Sequence, residues 1–483
     1  MPVSRPLASI ALVTAVALTG TLPGAPAEAG AAQPGAPGIG DPYYPEDGNG
    51  GIDVRHYAID LTYAFDPAEL SGSTTLEIEA TSDLSSFDLD FLLPVDAVTV
   101  DGVDAAFSKP SEHELQITPA TALAKGDVAS VRVEYDADPS AVSWENPGDP
   151  GGERSWMADE QEVVTANEPH MAPWWFPSND HPRDKATFDI SITTDAGKNV
   201  IANGEQVGDP VVVGDQATTH WRMKEPMATY LAFFAAGHFA VRQGTTDGIP
   251  WVAAVSKQFG TATRRGYLRL VRRSGPITAW LRSELGPYPF DSTGGLVTPL
   301  NAIPYAFALE NQSRPTYQGG IDEITEVHEL AHQWFGDAVS VRRWKDIWLN
   351  EGFASYMEHR WTEDHGGETT RQWLDHDFRD LAGSAGFWRV NVTDPGANVN
   401  TELFDTPVYE RGALALAALR NRIGKHAFDG LLRDWAAQHR DGSATVGMFE
   451  HAAAQAAGHP MDRFFHAWLV ADRPPRRTAA NGF

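Results

Sequence analysis

The chain has 483 residues, enough for two or three domains, and its 42% hydrophobic and 21% charged content is that of an ordinary globular protein. With 37 basic against 65 acidic side chains the net charge is −28, a surface that repels phosphate backbones and argues against nucleic acid as a partner. There is no cysteine, which excludes disulfides, a lipobox and a thiol nucleophile.

Residues 1–29 read as a secretory signal. Arg5 supplies the positive start, Leu7 to Leu22 the apolar run, and Ala27-Glu28-Ala29 the small-residue spacing of a cleavage site. That run is short for a membrane span and no later stretch is long enough, so the expectation is secretion without stable membrane association. Export without disulfides points to a bacterial exterior. Residues 30–50, rich in Gly, Pro and Ala, are expected to form a flexible leader.

From residue 51 to about 246 the pattern is strand-like. Tyr57, Ile59, Leu61 and Tyr63 alternate, followed by Leu76 and Ile78, by Phe87, Leu89 and Phe91, and by Val98 and Val100. Asp101-Gly102 is a hairpin signal, and Leu115, Ile117, Val131, Val133 and Tyr135 continue the series through Phe188, Ile190 and Val200. Past Gly248 the period becomes helical, at Tyr267 to Leu285, Ala413 to Ile423 and Phe428 to Leu469. The expected architecture is an antiparallel β domain over 51–246, a mostly helical catalytic domain over 247–475 and a tail over 476–483. The pairs Arg264-Arg265 and Arg272-Arg273 are expected on solvated helix faces.

The densest chemistry lies in Val327-His328-Glu329-Leu330-Ala331-His332 and Asn350-Glu351-Gly352. Ile324, Val327, Leu330, Ala331 and Trp334 fit one helix over Asp322 to Phe335, stopped by Gly336. On it His328 and His332 stand one turn apart on the same face, the spacing two imidazoles need to reach one zinc ion. Glu329 is placed to act on water at the metal rather than to bind the metal itself. A second helix, starting near Asp346 as N-cap and running through Ile347, Trp348, Phe353, Ala354 and Met357, returns Glu351 as an oxygen ligand. Glu358, seven residues after Glu351, shares its face and can orient a histidine ligand. His170, His181, His359 and His466 lack metal spacing and are expected at the surface or in packing.

Joined to Trp348-Leu349-Asn350-Glu351-Gly352-Phe353-Ala354, the H-E-x-x-H segment resembles the aminopeptidase N family of gluzincins, which includes leukotriene hydrolase. Other segments carry the same resemblance in the family order: Phe176-Pro177-Ser178-Asn179-Asp180 through Lys185-Ala186-Thr187-Phe188, Gly286-Pro287-Tyr288-Pro289-Phe290, and Tyr409-Glu410-Arg411-Gly412-Ala413. The resemblance implies a saddle-like β domain packed on a thermolysin-like domain, with one zinc ion on His328, His332 and Glu351 and Glu329 as general base. It further implies that the Tyr409 hydroxyl stabilises the oxyanion. Phe307-Ala308-Leu309-Glu310-Asn311 is similar to the family's G-x-M-E-N signature, which makes Ala308, Glu310 and Asn311 substrate-binding. Glu168 falls where the family places a residue that helps Glu310 hold the substrate's α-ammonium. Phe307 and Leu309 depart from the signature's Gly and Met, and Arg411 from the usual Lys. The chain ends soon after Trp468-Leu469, so the long C-terminal helical domain of larger members is not expected and the cleft should be more open.

The implied activity is zinc-dependent removal of the N-terminal residue from peptides with a free amino terminus, by a protein expected to be monomeric. A thermolysin-like endopeptidase and a catalytically silent peptide-binding protein, the latter with Phe307 blocking the site, stay open at this level.

Overall fold

The computed structural model describes Met1 and residues 31–142, 144, 155–301 and 307–483. The export signal expected over residues 1–29 thus lies outside the described residues apart from Met1. Alternation produces the sheets as expected. In the strand Ile52–Ala64, Tyr57, Ile59, Leu61 and Tyr63 all point into the core, and this strand is central to a nine-stranded sheet. It pairs antiparallel with Glu69–Ala80 and parallel with Lys185–Asp195. Asp101 and Gly102 both take positive φ, 51° and 75°, as the two-residue hairpin closing Val100 on Val103 requires.

Two four-stranded sheets complete the β domain. One contains Leu84–Asp90 beside Glu114–Thr118, the other Glu162–Thr165 beside Phe234–Gly237. A five-stranded sheet follows, in the order Phe239–Thr246, Ile249–Ser256, Thr293–Thr298, Thr316–Gln318, Phe307–Leu309. Phe239–Thr246 therefore belongs with the catalytic half, and the change of sheet falls near His238 rather than at residue 246. The apolar/polar alternation is the same on either side of that point, so it carried no mark of the switch.

The helices are α1 (Thr261–Val271), α2 (Ser274–Leu285), α3 (Glu323–Ala331), α4 (Trp348–Asp364), α5 (Thr370–Leu381), α6 (Ala385–Arg389), α7 (Thr406–Ile423), α8 (Lys425–His439), α9 (Val446–Ala457) and α10 (Asp462–Phe465). Asp346 does not cap α4. It closes a short 3₁₀ turn, Trp344–Asp346, and accepts from Arg343 Nε at 2.9 Å and from the Val446 amide at 3.2 Å. No helix among the described residues is long and apolar enough to cross a membrane.

The segment expected to be a flexible leader is packed, and so is the tail. Within 31–50, Tyr44, Asp41, Asp47 and Asn49 are buried. The Tyr44 hydroxyl donates to the Ala397 carbonyl at 2.9 Å, and Asp41 accepts the Trp344 amide at 2.9 Å. The Gly/Pro/Ala composition is that of a flexible chain, but these few aromatic and acidic side chains anchor it. At the other end Phe483 stacks on Trp468 with ring centroids 5.8 Å apart, and Asn421 Nδ2 donates to the Gly482 carbonyl at 3.1 Å. Residues 32–483 form one compact unit.

Candidate metal centre and cleft

Asp322 caps α3, its carboxylate accepting the Thr325 amide at 2.8 Å and satisfying one of the donors left over in the first turn. His328 and His332 follow one turn apart. His328 donates from Nδ1 to Glu358 Oε1 at 2.6 Å, and His332 from Nδ1 to the Phe335 carbonyl at 3.0 Å. These partners assign the protons to Nδ1 and leave each Nε2 lone pair for the cleft. Both Nε2 atoms face Glu351 Oε2, at 3.3 and 3.4 Å. One ligand atom from each of the three residues lies within 4.8 Å of the others.

Glu351 reaches this point because α4 and α7 touch backbone to backbone. A Cβ on Gly352 would stand 3.0 Å from Gly412 Cα, so only glycine at both positions allows so close an approach. The contact brings the first turn of α7 to the metal site. The Tyr409 ring lies 6.0 Å from that of His328.

The charge balance fits a cation. Burial works to lower the His328 imidazole, but hydrogen bonds to Glu351 and Glu358 hold it well above its ordinary 6.5. Burial also opposes His332, which Glu351 and Glu310 nonetheless push up to about 9. Glu351, although burial works to raise it, is held down to about 2 by the two imidazoles. Protons on these imidazoles are what a divalent ion displaces on binding. Two imidazoles and one carboxylate, exposed on their remaining side to a cavity of about 530 Å³, form the donor set of a catalytic zinc.

Glu329 lines that cavity, and burial pushes its carboxyl up to about 8 against the pull of His328 and His332. Glu310 follows the edge strand Phe307–Leu309. Its Oε1 accepts the Tyr230 hydroxyl at 3.2 Å, and its carbonyl accepts Gln333 Nε2 at 3.1 Å. Glu168, Glu310 and Glu351 each place an oxygen within 4.8 Å of the others. Three carboxylates so close in a shielded cleft are a ready seat for a positive group.

Of the residues expected here, His328, Glu329, His332, Glu351, Glu358, Tyr409, Glu310, Glu168 and Ala308 all line the cavity. Asn311 does not: it is fully buried and its Nδ2 donates to the Leu231 carbonyl at 3.0 Å, holding the strand's exit rather than facing substrate. Phe307 lines the cavity and does not fill it. Ile324, expected inside its helix's buried face, is 39% exposed at the cavity wall. Arg411 is buried with its guanidinium on the carbonyls of Trp388, Val390, Trp468 and Ala471, away from the cavity. Tyr230, Met171, Val399 and Phe404 carried no signal of a role here. Gln333 could have been suspected as the residue after His332: it accepts the Ser313 amide at 2.6 Å and so ties the Glu310 loop to α3.

The donor set has the two-histidine, one-glutamate composition that suits a catalytic zinc ion. The model of the peptidase M1 N-terminal domain matches residues 54–231, and that of the peptidase family M1 domain matches residues 307–468. Between them they take in more than half of the chain, which belongs to peptidase family M1. Aminopeptidase N of Lactococcus lactis subsp. lactis is 29% identical over 333 residues, 64% of this chain and 38% of that protein. Leucine aminopeptidase 2 of Neurospora crassa is 26% identical over 410 residues, 78% of this chain and 58% of that protein. The chain thus spans well under two thirds of the length of these curated relatives. Among solved structures, an M1 zinc metallopeptidase mutant from Deinococcus radiodurans bound to a Tyr-Ser-Ala substrate superposes with a TM-score of 0.80 at 25% identity. The match covers 91% of this chain and 99% of that one. Yeast LTA4 hydrolase shares the fold, with a TM-score of 0.70 at 20% identity over 89% of this chain and 69% of its own.

Proposed function

We propose that this chain is a zinc-dependent aminopeptidase that releases the first residue of peptides with a free amino terminus. The observation that carries the reading is the placement of Glu310 and Glu168 within 4.8 Å of the ligand Glu351. An α-ammonium seated on those two carboxylates puts the first peptide bond, and no later one, at the metal. This favours an aminopeptidase over an endopeptidase. A cavity of about 530 Å³ with Phe307 in its wall favours an enzyme over a silent peptide binder.

His328, His332 and Glu351 would hold the zinc ion, which when bound would supply Lewis acidity at the scissile carbonyl and acidify water. Glu329 takes the proton of the attacking water and returns it to the leaving amine, a shuttle worth roughly 10²–10⁴-fold. Burial, with Glu351 and Glu168, pushes the Tyr409 hydroxyl well above its ordinary range. It therefore stays protonated at neutral pH and donates to the developing oxyanion, an interaction worth about 3 kcal/mol. The edge of Phe307–Leu309, unpaired among the described residues, receives the substrate backbone as an added strand.

Hydrolysis of aminoacyl-arylamides, each compared with its N-acetylated form and with and without chelator, tests the reading. Chelator-sensitive cleavage of the free-amine forms alone is expected; equal cleavage of both forms would sink it. Export through residues 1–29 is part of the same proposal. Sequencing the amino terminus of the protein in culture medium, expected to begin at Gly30, checks that part.

A further inference from the structure

The β domain holds a second group of ligating side chains for which the activity has no use. Asp90 ends the strand Leu84–Asp90, Glu114 opens Glu114–Thr118, and the two are register partners in an antiparallel ladder. Their side chains therefore leave the same face of the sheet side by side, where two like charges repel. His113 adjoins Glu114, and one ligand atom from each of Asp90, His113 and Glu114 lies within 4.8 Å of the others. The three are 0%, 3% and 4% exposed.

Asp90 Oδ1, both Glu114 carboxylate oxygens and His113 Nδ1 have no hydrogen bond among the described residues, and neither has the other ring nitrogen of His113. His113 Nδ1 stands 3.5 Å from Asp90 Oδ1 and 3.7 Å from Glu114 Oε1, near them but without hydrogen-bond geometry. The other Asp90 oxygen is already used, accepting the Asp180 amide at 2.6 Å and the Gly48 amide at 3.1 Å. Buried polar atoms are normally paired, and an imidazole always carries at least one N–H that needs an acceptor. A single proton shared by Asp90 and Glu114 would relieve their repulsion and still leave His113 unpaired. A divalent cation takes one lone pair from each of the three, through Asp90 Oδ1, a Glu114 oxygen and His113 Nδ1, and neutralises the paired carboxylates.

We propose that Asp90, His113 and Glu114 form a second, structural site for a divalent transition-metal cation in the β domain. One imidazole and two carboxylates suit zinc or manganese, whereas calcium and magnesium prefer all-oxygen shells. The site fastens two segments that matter to the cleft. Asp90 holds the Gly48 amide, and the neighbouring Asp47 accepts His170 Nδ1 at 2.7 Å. His170 lies two residues beyond Glu168, so the cation braces the turn that carries one of the ammonium-binding carboxylates.

The test uses the full chain, stripped with chelator and reloaded with zinc or with manganese. Metal per chain is counted by mass spectrometry, and anomalous scattering locates the ions in crystals. Two equivalents are expected, with one peak at His328, His332 and Glu351 and the other at Asp90, His113 and Glu114. His113→Gln should bind one equivalent, lose only the second peak and melt at lower temperature. Because the wild-type peaks decide the matter alone, the test survives a variant that fails to fold. One equivalent in the wild-type chain at saturating metal, with no peak at the cluster, overturns the proposal. Calcium seated there with zinc and manganese excluded overturns the assigned class.

Discussion

His328 and Glu358 are joined by a 2.6 Å hydrogen bond across the interface of α3 and α4, and the bond runs from Nδ1, the ring nitrogen not turned toward Glu351. It fixes the tautomer of the ligand and the plane of its ring, and the carboxylate makes the imidazole a stronger donor to metal. Glu358→Gln keeps the shape and removes the charge. Zinc affinity, measured by competition with a chromophoric chelator, should fall roughly 10–100-fold. An unchanged affinity would show that Glu358 is a bystander.

Glu310→Ala separates the ammonium seat from the metal. For free-amine substrates kcat/KM should fall about 100-fold, equivalent to about 2.7 kcal/mol. The zinc content should stay the same. The N-acetylated substrates should remain equally poor in both proteins, and an equal proportional loss on them would mean that Glu310 shapes the cleft rather than binding charge.

Gly352 and Gly412 make the backbone contact that carries Glu351 to the two histidines, with only 3.0 Å available to a Cβ. Gly352→Ala forces α4 and α7 apart, at a cost of about 1–3 kcal/mol in unfolding free energy. It should also loosen zinc binding, since Glu351 is the adjacent residue. Denaturant unfolding and zinc competition on the same sample check both; intact zinc affinity would show that the helices can yield without moving the ligand.

Arg411 is a framework residue. Its guanidinium donates to the Trp388 carbonyl at 3.0 Å, to Val390 and Ala471 at 2.7 Å each, and to Trp468. A lysine ammonium has three donors on a different geometry and cannot span that set. Arg411→Lys should cost about 2–3 kcal/mol of stability through stranded carbonyls, with kcat/KM of the folded fraction nearly unchanged. A large loss of kcat with full stability would place Arg411 in the catalytic machinery instead.

What the sequence revealed follows from how far each signal reaches along the chain. The candidate metal site was readable because His328 and His332 share a helix, and because Glu351 belongs to a motif seven residues long. Strands such as Ile52–Ala64 were readable because burial on one face imposes a period of two. Tyr230 and Met171 reach the cleft from the β domain only through tertiary packing, and nothing local marks them. Residues 31–50 were misjudged because composition averages over a segment, whereas Asp41, Tyr43, Tyr44 and Asp47 anchor it singly. Tyr43, for instance, donates to Asp394 at 2.6 Å, across 351 positions of sequence.

Glu162 links the two halves and makes their union sensitive to pH. It lies in the β-domain strand Glu162–Thr165, accepts the Ser256 hydroxyl, and accepts Thr298 Oγ1 at 3.2 Å; both partners end strands of the five-stranded sheet. Burial pushes its carboxyl up to about 7 from an ordinary 4.5, although the hydroxyls of Ser256 and Thr298 pull it down. Below 4.5 the carboxyl is protonated in folded and unfolded chains alike, and its contribution to stability is fully present. Between 4.5 and about 7 only the folded chain keeps the proton, so stability falls as pH rises; above about 7 the loss is complete. Glu162→Gln keeps an acceptor for Ser256 and cannot ionise. Melting temperatures across this window should therefore decline more steeply for the wild-type chain than for the variant. Asp184, which burial pushes up to about 8, and the other raised carboxylates contribute to both proteins and cancel in the difference. Parallel curves would show that Glu162 titrates as an ordinary surface carboxyl and that the sheets are held together without its proton.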